Sequence, residues 1–306
     1  MKALADPPDT DLRPTLAERP ATTCAETAPA AGHVSGPAGR LVANRYTLRS
    51  VLGRGGMGLV WAAVDELLHR SVALKQLTVS DPVSEKCRKA ALVRALGEAR
   101  AAARVKHDGV IRIYDLVMEN GHPWIVMELL SGRTLAEAIQ ADGPLPVEQV
   151  ARVGLSLLKA LRATHRAGIV HCDVKPGNVY LCDGGRVVLT DFGIACAAAD
   201  GADCPHMFAG SPAYASPEQL HKDPARPASD LYSLGATLFA AVEGRTPFNK
   251  DDLVATITDM TEDEHEPAPL LPAGPLRPVI EGLLAKQPHQ RLTADQAEAA
   301  LRRSPT

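Results

Sequence analysis

Two carboxylates, an ammonium and a carboxamide stand close together in the run His171-Cys172-Asp173-Val174-Lys175-Pro176-Gly177-Asn178 and the nearby Asp191-Phe192-Gly193. Phosphoryl transfer asks a protein for little covalent chemistry. It needs a carboxylate beside the acceptor hydroxyl, positive charge on the transferring group, and hard oxygens for a metal ion. Here Asp173 can accept the hydroxyl proton and Lys175 can neutralise the moving phosphoryl. Asn178 and Asp191 offer the oxygen ligands that suit magnesium, with manganese as a substitute.

Upstream, Lys75 closes the apolar run Val72-Ala73-Leu74. A lysine leaving a strand into a cleft can bridge the α- and β-phosphates of a nucleotide. A half-buried ammonium needs a counter-ion, for which Glu98 is the natural choice and Glu85, nearer the helix start, a weaker one. Earlier still lies Gly53-Arg54-Gly55-Gly56-Met57-Gly58. Glycines let a backbone close over phosphates and present its amides. A dinucleotide-binding turn would lead straight into a helix, whereas Leu59-Val60-Trp61-Ala62-Ala63-Val64 continues as a strand. Alone, this run fits a plain hairpin as well as a nucleotide flap; its place ahead of Lys75 and the Asp173 cluster gives it meaning.

These groups require a scaffold, and the apolar pattern supplies one. Strand-like runs at 46–52, 59–64 and 71–75 precede an Ala-rich helical stretch at 84–106, and strands return at 111–118 and 124–128. Beyond Ser131-Gly132 the pattern is mostly helical. Val150, Val153, Leu157, Leu158 and Leu161 mark one helix face, Gly168 can end that helix, and further helices are expected at 227–243, 250–260, 275–285 and 293–303. Two short strand pairs are expected around 169–192. The order predicts an α+β chain: a small antiparallel β-rich lobe with one long helix at 44–130, a larger mainly helical lobe at 131–303, and a cleft between them. Residues 1–43, rich in Ala, Pro and Thr, and 304–306 are expected to be disordered.

The chain has 306 residues, with 33 Lys and Arg against 36 Asp and Glu, a formal net charge of -3. No basic field favours nucleic acid or an anionic membrane. No apolar run reaches the roughly 18–20 residues that span a bilayer, and no signal segment opens the chain, so a cytoplasmic protein without membrane insertion is expected. With the last expected helix ending near Arg303, no membrane anchor or sensor is expected to follow it. Cys24, Cys87, Cys172, Cys182, Cys196 and Cys204 lie without CxxC spacing, as reduced thiols rather than a zinc site or disulfide framework.

Taken together, the glycine loop, Lys75, the Asp173 cluster and Asp191-Phe192-Gly193 resemble the eukaryotic-like bacterial serine/threonine protein kinases, from about Tyr46 to Arg302. The resemblance implies a bilobal protein kinase fold with ATP and Mg2+ in the cleft, and protein substrates with Ser or Thr acceptors, a preference that Asp-x-Lys-x-x-Asn favours over Tyr. It implies that Gly53, Gly55, Gly56 and Gly58 cover the phosphates and that Lys75 with Glu98 aligns them. Met127 would back the adenine pocket, the backbones of Glu128 and Leu130 would bond adenine, and Leu52, Val60, Ala73 and Tyr180 would sandwich the ring. Ser211 to Glu218 resembles the substrate-docking end of the activation segment. Glu218 would pair with Arg291, and Asp230 would hold the catalytic-loop backbone. Such kinases can form homodimers through the small lobe, although no exposed apolar stripe in the sequence compels it.

Two departures point the same way. Position 172, where most such kinases carry an Arg that grips an activation-segment phosphate, is Cys172, and residues 194–210 contain no Ser, Thr or Tyr. Turnover is therefore expected without phosphorylation in that stretch, with Ser211, Tyr214 and Ser216 as the nearest acceptors. Thr10, Thr15, Thr22, Thr23 and Thr27 offer autophosphorylation sites in the tail. A silent kinase-fold scaffold and a small-molecule phosphotransferase are the alternatives, the second disfavoured by the docking stretch.

Overall fold

Alternation of large apolar residues with small or polar ones shapes the first half of the chain into a sheet. The computed structural model describes residues 39–55, 58–77, 85–192, 212–248 and 273–303. Strands β1 (Leu41–Val42), β2 (Tyr46–Gly55), β3 (Gly58–Asp65), β4 (Arg70–Gln76), β5 (Ile113–Glu119) and β6 (His122–Glu128) pair in the order β1-β2-β3-β4-β6-β5. Every one of these pairings is antiparallel. One face buries Tyr46, Leu48, Trp61, Val72, Leu74, Trp124 and Val126 in a common cluster. Each large side chain withdrawn from water this way stabilises the lobe by about 1.5–3 kcal/mol.

The opposite face takes helix α1 (Glu85–Ala102), whose Ala95 and Ala99 pack against Leu77 and Ile125. Because side chains alternate along a strand, Ala73 and Lys75 fall on this second face. The register sets Lys75 beside Val60 and Ile125, and Ala73 beside Ala62 and Met127. The strand therefore delivers the lysine and the small alanine to one surface.

Residues 39–43, expected to belong to the tail, are instead joined to the sheet. Leu41 and Val42 pair with Thr47 and Tyr46, Gly39 N donates to Leu48 O at 2.8 Å, and Val42 is fully buried. A two-residue strand carries too little periodicity to be read in advance. Residues 1–38 and 304–306 and the helix expected at 250–260 lie outside the described residues. β5 and β6 meet at Asn120-Gly121, with φ of +51° and +76°, the tight hairpin turn that this dipeptide favours.

In the second half, β7 (Gly132–Thr134), β8 (Val179–Cys182) and β9 (Val187–Leu189) form a small antiparallel sheet. Two strand pairs were expected around 169–192. Only β8 and β9 pair within that range, and residues 169–175 are irregular because their amides are spoken for elsewhere, as described below. β7 must lie close to β8: a Cβ on Gly132 (φ +123°) would sit 2.1 Å from Leu181 O.

Helices α2 (Leu135–Asp142), α3 (Val147–Arg166), α4 (Pro217–Leu220), α5 (Pro227–Glu243), α6 (Arg277–Leu283) and α7 (Ala294–Arg303) make up the rest. The expected stripe of α3 (Val150, Val153, Leu157, Leu158, Leu161) is buried. Central to the lobe is α5, buried from Ser229 to Val242. Gly235 permits this, since a Cβ there would meet the Leu283 side chain at 2.8 Å. The helix expected at 275–285 is a 3-10 turn, Gly274–Leu276, followed by the shorter α6. A small sheet lobe with one long helix, followed by a helical lobe, is the expected α+β bilobal arrangement. No helix among the described residues is long and apolar enough to cross a membrane.

Candidate active site

The polar residues of the stretch 171–178 are knotted together. Asn178 Nδ2 donates to the Asp173 carbonyl at 2.8 Å and to Asp173 Oδ2 at 2.9 Å, and Lys175 Nζ lies 2.8 Å from that same Oδ2. The turn Pro176–Asn178 is a single 3-10 helix, closed by Asn178 N donating to Lys175 O. Proline pre-sets the first φ of that turn and offers no N–H to be satisfied. Carboxylate, ammonium and carboxamide are thereby gathered around one point, with the Oδ1 atoms of both Asp173 and Asn178 outside these bonds.

What holds the knot is buried beneath it. Asp230, fully buried on α5, accepts from His171 N at 2.8 Å, Cys172 N at 2.8 Å and His165 Nε2 at 2.7 Å. Bonds to a charged acceptor contribute about 1.5–3 kcal/mol each. The amides of 171 and 172 thus find partners on a helix instead of a strand, which is why this segment is not a β-strand. His171 is buried, its ring 4.8 Å from that of Phe192. Burial lowers the pKa of the imidazole below its ordinary 6.5, keeping it neutral. Its Nε2 then donates to Thr190 O at 3.0 Å, and its Nδ1 accepts from Asp173 N at 3.3 Å.

Thr190 ties the knot to the second carboxylate. Its N and Oγ1 both donate to Asn178 O, at 2.9 and 3.1 Å. The next residue, Asp191, adopts φ +53°, a left-handed conformation that aspartate tolerates better than most residues. Asp191 Oδ1 lies 2.7 Å from Lys75 Nζ, joining the two lobes. Lys75 is only 3% exposed, so a carboxylate partner is required to offset the loss of water around its charge. The partner expected from the sequence was Glu98. That residue lies on α1, with its side chain outside the described residues, and the partner the structure describes is Asp191.

The remaining sequence-predicted residues line the sheet and the crossing between lobes. Gly53 pairs with Val60 and Gly55 with Gly58, closing the glycine hairpin, whose tip at Gly56 and Met57 lies outside the described residues. Leu52 is 52% exposed, Val60 is half-buried and Ala73 buried. Met127, Leu130 and Tyr180 pack partly buried against the core of the helical lobe, and Tyr180 Oη donates to Gly132 O at 3.0 Å. The Glu128 carboxylate accepts from Arg112 N at 2.8 Å and from Arg186 Nη2 at 2.7 Å.

Residues 46–300 match the family model described as the protein kinase domain. The chain belongs to the protein kinase domain family. Among curated relatives, this kinase domain is 38% identical over 216 residues to the serine/threonine-protein kinase PknL of Mycobacterium tuberculosis, covering 70% of the chain and 53% of PknL. It is 37% identical over 265 residues to the serine/threonine-protein kinase PknA of the same organism, covering 83% of the chain and 59% of PknA. The chain thus spans little more than half the length of these relatives.

Elsewhere in the kinase domain, Glu218 and Arg291 form the pair expected from the sequence, with both guanidinium termini 2.6 Å from carboxylate oxygens. Burial alone would raise the Glu218 pKa, but the bonds from Arg291 and Ser229 outweigh it and hold the group below its ordinary value. Sequence reasoning missed Thr190, His165, Arg186 and Gln219. Gln219 stands one residue beyond the docking stretch and carries no charge to draw attention.

Proposed function

We propose that this chain transfers the γ-phosphoryl group of ATP to serine or threonine hydroxyls of proteins. The observation that carries the reading is the convergence of Asp173, Lys175 and Asn178 in one hydrogen-bonded knot, linked through Thr190 to the Lys75–Asp191 pair. The PknA and PknL relatives, both named serine/threonine-protein kinases, support the acceptor class.

In this reading Asp173 orients the acceptor hydroxyl and receives its proton as the oxygen bonds to the γ-phosphorus and the bond to the bridging oxygen breaks, releasing ADP. Lys175 neutralises charge on the moving group, and Lys75 aligns the α- and β-phosphates. Val60, Ala73, Met127 and Tyr180 surround the adenine, with Leu52 as its exposed edge and the backbones of Glu128 and Leu130 as its polar contacts. Asn178 Oδ1 and the Asp191 carboxylate would hold magnesium. Among the described residues no group of three His, Cys, Asp or Glu could hold a metal. Two oxygen donors, Asn178 Oδ1 and the Asp191 carboxylate, suit a cation that keeps waters and takes substrate phosphates as its other ligands. Held there, magnesium would supply positive charge against the phosphate oxygens.

The reading extends to regulation: turnover would not require a phosphate on residues 194–210, which contain no Ser, Thr or Tyr. Asp230 holds the amides of 171 and 172, a task done with no guanidinium at position 172. Ser216, one of the three nearby acceptors, is fully buried, and its Oγ donates to Gln219 Oε1 at 3.0 Å, so a phosphate there would break the segment open. Ser211 lies outside the described residues.

The test is transfer of labelled phosphate from ATP to a generic basic protein. Asp173→Asn is expected to lower the rate about a thousandfold or more, since the proton acceptor and the knot are both altered. Nucleotide binding without transfer in the wild type would point to a scaffold, and transfer to a metabolite alone to a small-molecule enzyme. Phosphate mapping of active protein checks the regulatory part, which fails if a phosphorylated Ser211, Tyr214 or Ser216 proves necessary.

A further inference from the structure

Cys172 immediately precedes Asp173 and adopts φ +65°, a left-handed conformation that a residue with a Cβ rarely takes. Such a conformation persists only where the surroundings impose it. Its peptide groups are gripped on both sides. The N–H donates to Asp230 Oδ1 at 2.8 Å, and the carbonyl accepts from Gln219 Nε2 at 3.0 Å. The first anchor is part of the scaffold helix. The second comes from α4, on the segment that resembles a peptide-docking surface.

Gln219 is itself 8% exposed and uses both ends of its amide. Its Oε1 accepts from Ser216 N and Ser216 Oγ, each at 3.0 Å. One carboxamide therefore bridges the docking segment at Ser216 and the carbonyl that leads into Asp173. The amide orientation is fixed by these partners: the Ser216 amide requires an oxygen, and the Cys172 carbonyl requires an N–H.

We propose that Gln219 is a positioning residue that couples the docking segment to the pitch of the Asp173 carboxylate, holding Cys172 in its left-handed conformation by a neutral crosslink. The proposal rests on the kinase reading above and deepens its regulatory part. It explains how a loop with a thiol at position 172 is held from the docking side without an arginine–phosphate contact. It also means that disturbing Ser216 alters catalysis through Gln219, not through substrate contact alone.

The experiment measures steady-state transfer from ATP to a generic basic protein by the full chain and its variants. Gln219→Leu removes the donor to Cys172 and is expected to lower kcat about tenfold or more while KM for ATP stays within about threefold. Gln219→Glu keeps the length and the acceptor for Ser216 but faces the Cys172 carbonyl with an oxygen, and is expected to lose at least as much. Adding Cys172→Gly to Gln219→Leu is expected to recover kcat severalfold, because glycine takes the left-handed conformation at no steric cost. A merely structural glutamine would show no such recovery. Wild-type kcat in both Gln219 variants, losses shared equally between kcat and KM for ATP, or no recovery with glycine would each overturn the inference while leaving an active kinase. A wild-type chain that transfers phosphate to no protein would overturn the kinase reading and the inference together.

Discussion

The loop that carries Asp173 and the sheet that carries Lys75 reach the same site by different means. The loop is held from several directions: Asp230 and Gln219 grip its backbone, His171 bridges it to Thr190, and Asn178 and Lys175 fix the carboxylate. On the sheet, strand register alone presents Lys75, and its one described polar contact is with Asp191 across the cleft. The loop's geometry is thus bound up with the stability of its lobe. Lys75 is tied to stability much more loosely, although its place in the site is as central. Irregular backbone must be held by side chains, whereas a strand positions its side chains by its own periodicity.

The sharpest way to break this comparison is Asp230→Ala. It leaves three donors, one buried and two part-buried, without an acceptor, and the unfolding free energy measured in urea is expected to fall by about 3–5 kcal/mol, with activity lost. A near-wild-type midpoint would show that the loop does not depend on its anchor. Next comes pH. His171 is neutral in the fold because burial lowers its pKa below 6.5. Above that value the group costs nothing in either state. As pH falls below 6.5 the unfolded chain takes up a proton that the folded one refuses, so stability declines until the lowered folded pKa is reached. Urea midpoints between pH 7 and pH 5 should fall, and His171→Gln should flatten that slope.

On the sheet side the order of effects reverses. Lys75→Met keeps a stem of similar length, and the Asp191 side chain it abandons is 36% exposed and can be hydrated. Stability is expected to change by about 1 kcal/mol or less while transfer falls about a hundredfold or more. A loss as large as that for Asp230→Ala would erase the contrast. The smallest effect is expected at Leu52, 52% exposed. Leu52→Ala should shift stability by under about 0.5 kcal/mol and raise KM for ATP a few-fold, as read by initial rates.

Much of the site was legible because its chemistry is local. Asp173, Lys175 and Asn178 fall within one turn of chain, so their spacing already implied convergence, and the alternation in β4 implied that Lys75 leaves the opposite face from Leu74. Helix α3 was readable from its stripe. Other features depend on distant partners and leave little trace in sequence: Leu41–Val42 acquires meaning only against Tyr46, and Gln219 only against Cys172. Two misses were avoidable. Thr134 and Glu137 form a capping box that announces α2, and Asn120-Gly121 announces the β5–β6 turn. The short β7 became a strand through its pairing with β8, a contact made long after it in the chain.

The crossing between the lobes has a mechanical consequence. At this edge Glu128 is clamped by Arg186, Ile111 N donates to Leu189 O at 3.0 Å, and Leu189 N donates to Gly109 O at 2.9 Å. At the mouth, the Lys75–Asp191 pair is the single described ionic closure between sheet and loop. With three fasteners on one side and one on the other, parting the mouth requires breaking one described ionic contact, whereas parting the opposite edge requires breaking three.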